Sequence, residues 1–167
     1  MTALSKVVGI DPGLSGAVAV LENGHYQAVH DIPLTTNSAG KRVPCAQGVA
    51  LLLRDYWPDL VVIEEVNAMP SASGKDGKRR TMGAQSMFNF GRGFGLVEAA
   101  VVIQKLKIEY VRPAAWKRRC GLINAKKDTH RQLAIDLFPN AEDELRLKKH
   151  HGRADALLIA RYGHAFW

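Results

Sequence analysis

The sequence predicts an α/β fold in which a mixed five-stranded sheet is flanked by helices. Residues 5–32 hold three apolar runs separated by tight turns, a pattern typical of short antiparallel strands. A helical pattern over residues 46–57 leads into a buried run at 60–64, and a strand reached through a helix favours parallel pairing with the first strand. Residues 108–111 supply a fifth strand, so the predicted element order is βββαβαβαα.

Local patterns place the elements of the first half. The three strands lie in KVVGID, SGAVAVLE and HYQAVHDI, with turns at Asp11–Ser15 and at Asn23-Gly24. Residues 33–45 carry Pro, Thr, Ser and Gly and are expected to form a connecting loop. The helix from Ala46 to Trp57 is stopped by Pro58.

The second half alternates helices with connectors. Residues 67–80 are small, polar and basic, which predicts a mobile loop, and an apolar segment from Thr81 to about Lys107 predicts one long helix. Short helices are expected over residues 113–119 and 129–138, the second N-capped by Asp128. Residues 142–146 are expected to form a connector, and a terminal helix should start at His151 or Gly152 and end at Phe166.

Composition limits the class of protein. The chain has 167 residues, of which 47% are hydrophobic, so we expect residues 1–167 to form a single domain rather than a disordered chain. The 23 Lys and Arg against 16 Asp and Glu give a charge of +7, which favours nucleic acid or an anionic surface as partner. No run could span a bilayer and no leader is visible, so a cytoplasmic protein without a membrane partner is expected. Cys45 and Cys120 form no CxxC pair and are expected to be reduced thiols rather than a disulfide or zinc site.

Three acids stand where an acid does not help stability. Asp11 and Glu64 each end an apolar run, and Asp155 opens the run ALLIA. An ionised carboxylate at the rim of a core is costly unless a cation or hydrogen bonds offset its desolvation. Nucleases of the two-metal type bring several carboxylates to a pair of divalent ions, and oxygen ligands suit Mg²⁺ with Mn²⁺ as a substitute. Parallel first and fourth strands would place Asp11 and Glu64 at one end of the sheet, where the terminal helix could deliver Asp155.

Each acid also has a purely structural explanation. Asp11 precedes Pro12-Gly13 and could cap a β-turn, Glu64 could be a surface acid at a strand end, and Asp155 could favour the first turn of a helix. These explanations account poorly for three acids that each adjoin an apolar run in a basic chain. The sequence therefore predicts phosphodiester chemistry at a divalent-metal site.

The segments VVGIDPGLSGAVAV (7–20), LVVIEEV (60–66) and GRADALLIARYG (152–163) resemble the three acidic motifs of RuvC-type Holliday junction resolvases, of the ribonuclease H-like superfamily. Their order and spacing match over essentially the whole chain. The resemblance implies a homodimeric endonuclease with two Mg²⁺ ions per site that nicks opposing strands of a four-way junction or related branched DNA, leaving 5′-phosphate and 3′-hydroxyl ends. The small size hints at a phage or prophage member, acting in a bacterial cell or phage-infected host.

The resemblance also implies site residues. Asp11, Glu64 and Asp155 would be metal ligands. Family members often carry a fourth acid at the position of Gly152, so His151, four residues before Asp155, could replace it as ligand or general base. His151 could equally belong to the solvated run KKHHGR. Relatives can insert an aromatic wedge after the second motif, where Met69 is the nearest apolar candidate.

Two basic clusters could bind DNA phosphates, although runs of charge are usually only a solvated face. Lys117 and Arg118 match a region where the family places basic residues near the scissile phosphate. The candidate DNA-binding residues are Lys75, Lys78, Arg79, Arg80, Lys117, Arg118, Arg119, Lys126 and Lys127.

Three other functions remain open. A related branch of the superfamily acts on RNA precursors, which substrate preference would distinguish. The missing acid at Gly152 would also suit a non-catalytic module that binds branched nucleic acid. The opening motif is shared with actin-like ATPases and sugar kinases, but those need two such domains around the nucleotide and 167 residues is too short.

Overall fold

The computed structural model describes residues 5–65, 72–73, 79–80 and 83–166. The strands, in chain order, are β1 (Lys6–Asp11), β2 (Ala17–Glu22), β3 (His25–Asp31), β4 (Leu34–Thr36), β5 (Arg42–Pro44), β6 (Leu60–Glu64), β7 (Ala72–Ser73), β8 (Arg79–Arg80) and β9 (Ile108–Val111). The helices are α1 (Ala46–Tyr56), α2 (Ala84–Val102), α3 (Pro113–Arg119), α4 (Lys127–Leu137), α5 (Glu142–Leu145) and α6 (His151–Phe166). Within these ranges, no helix is both long enough and apolar enough to cross a membrane.

The central sheet confirms the predicted fold class. Its strand order is β3-β2-β1-β6-β9, with β1, β2 and β3 antiparallel and β6 parallel to both β1 and β9. The predicted turn at Asn23-Gly24 joins β2 to β3, with φ of 51° and 80° at its two residues. Positive φ at both positions is the geometry that matches the twist of a tight hairpin.

Alternation along the strands sends side chains to two separate cores. In β1, Val8 and Ile10 belong to the core beneath α1 and α2, whereas Val7 belongs to the core beneath α3, α4 and α6. In β6, Val61 and Ile63 face the core beneath α1 and α2, whereas Leu60 and Val62 face the core beneath α3, α4 and α6. Because side chains alternate every residue, Asp11 and Glu64 continue the rows that face α6.

Helix α6 lies directly against β1 because small residues allow their backbones to meet. A Cβ atom at Gly9 would stand 2.3 Å from the carbonyl oxygen of Ala156 and 2.3 Å from the amide nitrogen of Ala160. A Cβ at Gly163 would stand 2.4 Å from the Val62 side chain. Only glycine permits these approaches, so the sequence of β1 fixes the height at which α6 crosses the sheet.

Two expectations for connecting segments need correction. Residues 33–45 are not only a loop, because β4 and β5 pair as an antiparallel hairpin with Thr35 opposite Val43. The Asn37 side chain closes its turn by accepting hydrogen bonds from the amides of Ala39 and Lys41, each at 3.0 Å. Strands of three residues are too short to show an alternating pattern. Within the predicted loop 67–80, β7 pairs with β8, and the rest of that loop lies outside the described residues.

The helix boundaries also differ in places. Helix α2 ends at Val102 rather than near Lys107. Shortly after it, Lys105 has a positive φ of 56°, which is incompatible with a continuing helix. The predicted start at Thr81 lies outside the described residues. Helix α4 begins at Lys127, so Asp128 lies in its first turn and is not the N-cap. The predicted connector at 142–146 contains helix α5, whose Leu145 is fully buried.

We expect Gly9→Ala to destabilise the protein by about 2 kcal/mol or more, because the added methyl group meets backbone atoms that cannot move aside. Urea unfolding monitored by circular dichroism measures this. Gly95→Ala is the matched control: among the described residues, no atom beyond the adjacent turns of α2 lies within 4 Å of its Cβ position, so α2 should be stabilised by up to about 1 kcal/mol. Equal stability of the two variants would show that α6 does not depend on contact at Gly9.

Candidate active site

Asp11 and Glu64 lie side by side at the carboxyl end of two parallel strands. Ile10 of β1 pairs with Ile63 of β6, so the next residue on each strand brings the two acids together. Both acids are half-buried and face α6. The predicted convergence of these two acids therefore follows directly from the register of the sheet.

Asp155 approaches the same edge from α6. It lies in the second turn of the helix, between the fully buried Ala154 and Ala156, and its side chain is 15% exposed. It is close enough to Asp11 and Glu64 to raise the pKa of both. The three acids thus lie within electrostatic range of one another at this edge of the sheet.

One oxygen of each carboxylate accepts a hydrogen bond from the protein. The Gly13 amide donates to Asp11 Oδ1 at 3.2 Å, the Trp116 indole donates to Glu64 Oε2 at 2.6 Å, and His130 Nδ1 lies 2.7 Å from Asp155 Oδ1. Trp116 comes from α3 and His130 from α4. These three contacts set how each acid enters the site.

Sequence reasoning missed Trp116 and His130. His130, Ala134 and Phe138 recur every four residues and are all buried, so a histidine interrupts the core-facing stripe of α4. That interruption was a readable signal, since a buried polar side chain needs a partner. The partner itself, 25 residues further along the chain, could not be read from the pattern.

The electrostatics of the site favour a bound cation. Burial raises the pKa of Asp11 to about 6, with Asp155 adding to the rise, while the Gly13 amide, Lys127 and Lys117 oppose it. Burial raises the pKa of Glu64 to about 7, aided by Asp11 and opposed chiefly by the Trp116 hydrogen bond. Crowded carboxylates of this kind are stabilised by positive charge.

The donor set has the right chemistry for a hard divalent cation, since all three acids offer carboxylate oxygens. Among the described residues, however, no group of three or more His, Cys, Asp or Glu side chains is close enough to hold one metal ion together. Trp116 donates to one oxygen of Glu64, and His130 is hydrogen-bonded to one oxygen of Asp155. Neither of these two bonds involves the other oxygen of its carboxylate. The predicted metal-ligand roles therefore remain predictions.

Gly152 cannot be replaced by an acid without moving the backbone. A Cβ there would lie 2.0 Å from the carbonyl oxygen of Ser15, because the start of α6 packs on the turn after β1. Next to it, His151 is the first residue of α6 and is half-buried. Burial and Lys127 lower the pKa of His151, while Asp155 raises it, so the neutral imidazole is favoured.

The structure places part of the predicted basic surface beside the acids. Lys117 is half-buried, and its Nζ lies 5.2 Å from the centroid of the Trp116 ring; Lys127 is exposed at the start of α4. Arg118, Arg119 and Lys126 are exposed on the same two-helix region. Lys75, Lys78 and the predicted wedge Met69 lie outside the described residues, as do the side chains of Arg79 and Arg80.

In the presence of a chelator, Asp11→Asn should raise the melting temperature at pH 8. The pKa of Asp11, about 6 in the folded protein, exceeds its ordinary value of 3.8, so ionisation opposes folding above pH 6. The advantage of the variant should shrink as the pH falls from 6 towards 4, where the wild-type carboxyl becomes neutral. Asp143→Asn, at an exposed acid of α5, is the control and should show no such gain. A destabilised Asp11→Asn at pH 8 would contradict the charge crowding.

Comparisons with known proteins agree with this architecture. Thermus thermophilus RuvC, solved in complex with a Holliday junction substrate, superposes with a TM-score of 0.57 and 18% identity over 93% of this chain and 90% of that one. The yeast mitochondrial Holliday junction resolvase Ydc2 gives a TM-score of 0.54 and 12% identity over 95% of this chain and 78% of that one.

Sequence comparison gives one short match of higher identity. Over 48 residues, 28% of this chain, it is 56% identical to the chloroplastic Holliday junction resolvase MOC1 of Chlamydomonas reinhardtii, and this stretch spans only 5% of that protein. No protein-family model matches the chain. The resemblance identified from the acidic motifs is thus confirmed at the level of architecture: the chain has the fold of the RuvC-type Holliday junction resolvases.

Proposed function

We propose that this chain is a divalent-metal-dependent endonuclease that resolves four-way DNA junctions, or related branched DNA, by paired symmetric nicks. The observation that carries the proposal is the meeting of Asp11, Glu64 and Asp155 at one edge of the sheet. All three acids are half-buried, and the pKa values of Asp11 and Glu64 are raised, so a bound cation would offset the cost of their ionisation.

The fold and charge support the choice of substrate. A protein of the same fold was solved bound to a Holliday junction, and the short match of high identity is to a protein named as a Holliday junction resolvase. The net charge of +7 suits a polyanion. The same proposal treats residues 1–167 as one nuclease domain.

The three acids would hold the metal through their carboxylate oxygens. Asp11 Oδ1, Glu64 Oε2 and Asp155 Oδ1 each take part in one hydrogen bond, and the remaining lone pairs of the three carboxylates would be available to a metal ion. Two Mg²⁺ ions bound there would activate a water molecule and stabilise the leaving oxygen of the phosphodiester. The protein's part is to fix the carboxylates in place.

Other side chains would handle the phosphate and the proton. Lys117 and Lys127 each lower the pKa of Asp11, which supports the proposal that their charge would attract a scissile phosphate to the acids. His151, whose pKa is lowered by burial and by Lys127, is available as the neutral imidazole that a general base requires. Arg118, Arg119 and Lys126 would bind the flanking strands.

A homodimer would match the two-fold symmetry of a four-way junction. The first half of α2 supports this part of the proposal, because large apolar side chains there are exposed to solvent instead of being packed in the core. Met87 is 42% exposed, Phe88 65% and Phe90 39%. An apolar face of this kind is typical of a surface that a partner covers.

A nicking assay on a synthetic four-way junction, beside linear duplex and an RNA junction, tests the proposal. Wild type with Mg²⁺ should produce paired symmetric nicks in the DNA junction alone, and Asp11→Asn should lower the rate by about 10²-fold or more. Asp155→Asn should also abolish cleavage yet keep junction binding, because it removes a negative charge. Asp143→Asn is the matched control. Tight binding without any Mg²⁺- or Mn²⁺-dependent cut would indicate a binding module, and preference for RNA would indicate an RNA-processing enzyme.

His151→Ala should lower the nicking rate by about 10²-fold at saturating Mg²⁺ if His151 moves the proton. His150→Ala is the neighbouring control and should retain activity. The pH profile separates the two roles. Loss of a general base removes the increase of the rate with pH on the acidic side of the profile. Loss of a metal ligand mainly raises the Mg²⁺ concentration that cleavage requires. Equal rates together with an equal Mg²⁺ requirement for His151→Ala and wild type would exclude both roles.

A further inference from the structure

Two acids of the site are held by side chains that water hardly reaches. Trp116 is fully buried and His130 is 4% exposed. The Trp116 indole donates to Glu64 Oε2 at 2.6 Å, and His130 Nδ1 lies 2.7 Å from Asp155 Oδ1. Each distance is short for its type, as is typical of hydrogen bonds to carboxyl groups.

Because Trp116 and His130 are buried, their hydrogen bonds to the acids cannot readily be replaced by hydrogen bonds to water. An indole N–H or imidazole nitrogen that loses its partner in the core leaves a desolvated polar atom, at a cost of about 1–3 kcal/mol. Glu64 has a long, flexible side chain, and Asp155 a short one on a helix. The Trp116 and His130 bonds therefore select one rotamer for each acid out of those that solvent alone would allow.

Trp116 and His130 also contact each other. Their ring centroids are 5.7 Å apart and the rings are nearly perpendicular, at 82°. The other imidazole nitrogen, His130 Nε2, is buried without a hydrogen-bond partner among the described residues. Asp155 and the Trp116 ring therefore both contribute to the orientation of the His130 imidazole.

We infer that Trp116 and His130 form one positioning unit, which sets the orientation of the Glu64 carboxylate relative to that of Asp155. The chain of contacts runs from Glu64 through the indole and the imidazole to Asp155, and so joins β6 to α6 by way of α3 and α4. The inference rests on the proposed function, since it gives the unit the task of pre-setting two metal ligands. Neither residue touches the reacting atoms.

Side chains that hold metal ligands in place affect metal affinity as well as the stability of the fold. Hydrogen bonds that orient ligands are typically worth 10–100-fold in metal affinity. A purely structural pair would instead lower stability and leave the affinity of the folded protein unchanged. Mn²⁺ affinity, measured from the electron paramagnetic resonance signal of free Mn²⁺, separates the two possibilities.

Three variants probe the unit in the full chain. Trp116→Phe keeps an aromatic ring and removes the N–H, His130→Leu removes the bond to Asp155, and His130→Asn offers an amide donor near the position of Nδ1. We expect Trp116→Phe and His130→Leu each to weaken Mn²⁺ binding roughly tenfold or more, and His130→Asn to restore most of the loss. Phe138→Leu, at the buried residue directly after α4, is the control that should lower the melting temperature without changing affinity.

The double variant Trp116→Phe with His130→Leu tests whether the two act together. A single unit predicts that the second substitution adds little to the first, whereas independent residues predict that the losses multiply. Multiplying losses would overturn the unit. Junction binding in a chelator should be the same in all folded variants.

The outcome also separates this inference from the proposed function. If wild type binds Mn²⁺ and nicks junctions, and the variants bind Mn²⁺ equally well, only the positioning unit is overturned. If wild type binds no Mn²⁺, the metal-dependent function fails together with the inference. Weaker Mn²⁺ binding with normal nicking at saturating Mn²⁺ would support the unit, because excess metal then compensates for poorly placed ligands.

Discussion

The contact between the backbones of α6 and β1 is the constraint on which the site depends. Gly9 removes the side chain that would otherwise separate helix from strand, and Ala156 and Ala160 present only small side chains on the helix. Asp155 precedes Ala156, so the same contact that packs the core fixes the depth of this acid. A larger residue at Gly9 would lift α6 and carry Asp155 away from Asp11, which couples core packing to site geometry.

Burial is what gives the acids their chemical character. The carboxyl end of a parallel strand pair brings Asp11 and Glu64 together, and the cover of α6 keeps most water away. Desolvation is the largest cause of the raised pKa of each acid. Repulsion from Asp155 adds to the rise at Asp11, and repulsion from Asp11 and Asp155 adds to the rise at Glu64. The fold thus stores electrostatic free energy at this edge of the sheet, which a cation would release. Lys117 and Lys127 relieve only part of it.

Packing, and not the chemistry of the site, explains why position 152 holds a glycine instead of an acid. The first turn of α6 rests on the Ser15 carbonyl, and the space needed for any side chain at Gly152 is already occupied. An acid at that position would require a different path for the turn after β1. His151, one residue earlier and half-buried near Asp155, is where this chain has room for a polar group.

The sequence by itself determined the three antiparallel strands, the parallel pairing of β6 with β1, the strand-end positions of Asp11 and Glu64, and the helix that carries Asp155, because these follow from periodicity and turn chemistry within short segments. It also located Lys117 and Lys127 in a basic stretch. It did not place β9 in the sheet. Only the tertiary structure decided that Trp116 and His130 hold the acids, that residues 34–44 form a hairpin, and that Leu145 joins the core. Those features arise from contacts between residues far apart in the chain or from strands of three residues, and neither leaves a periodic pattern in the sequence.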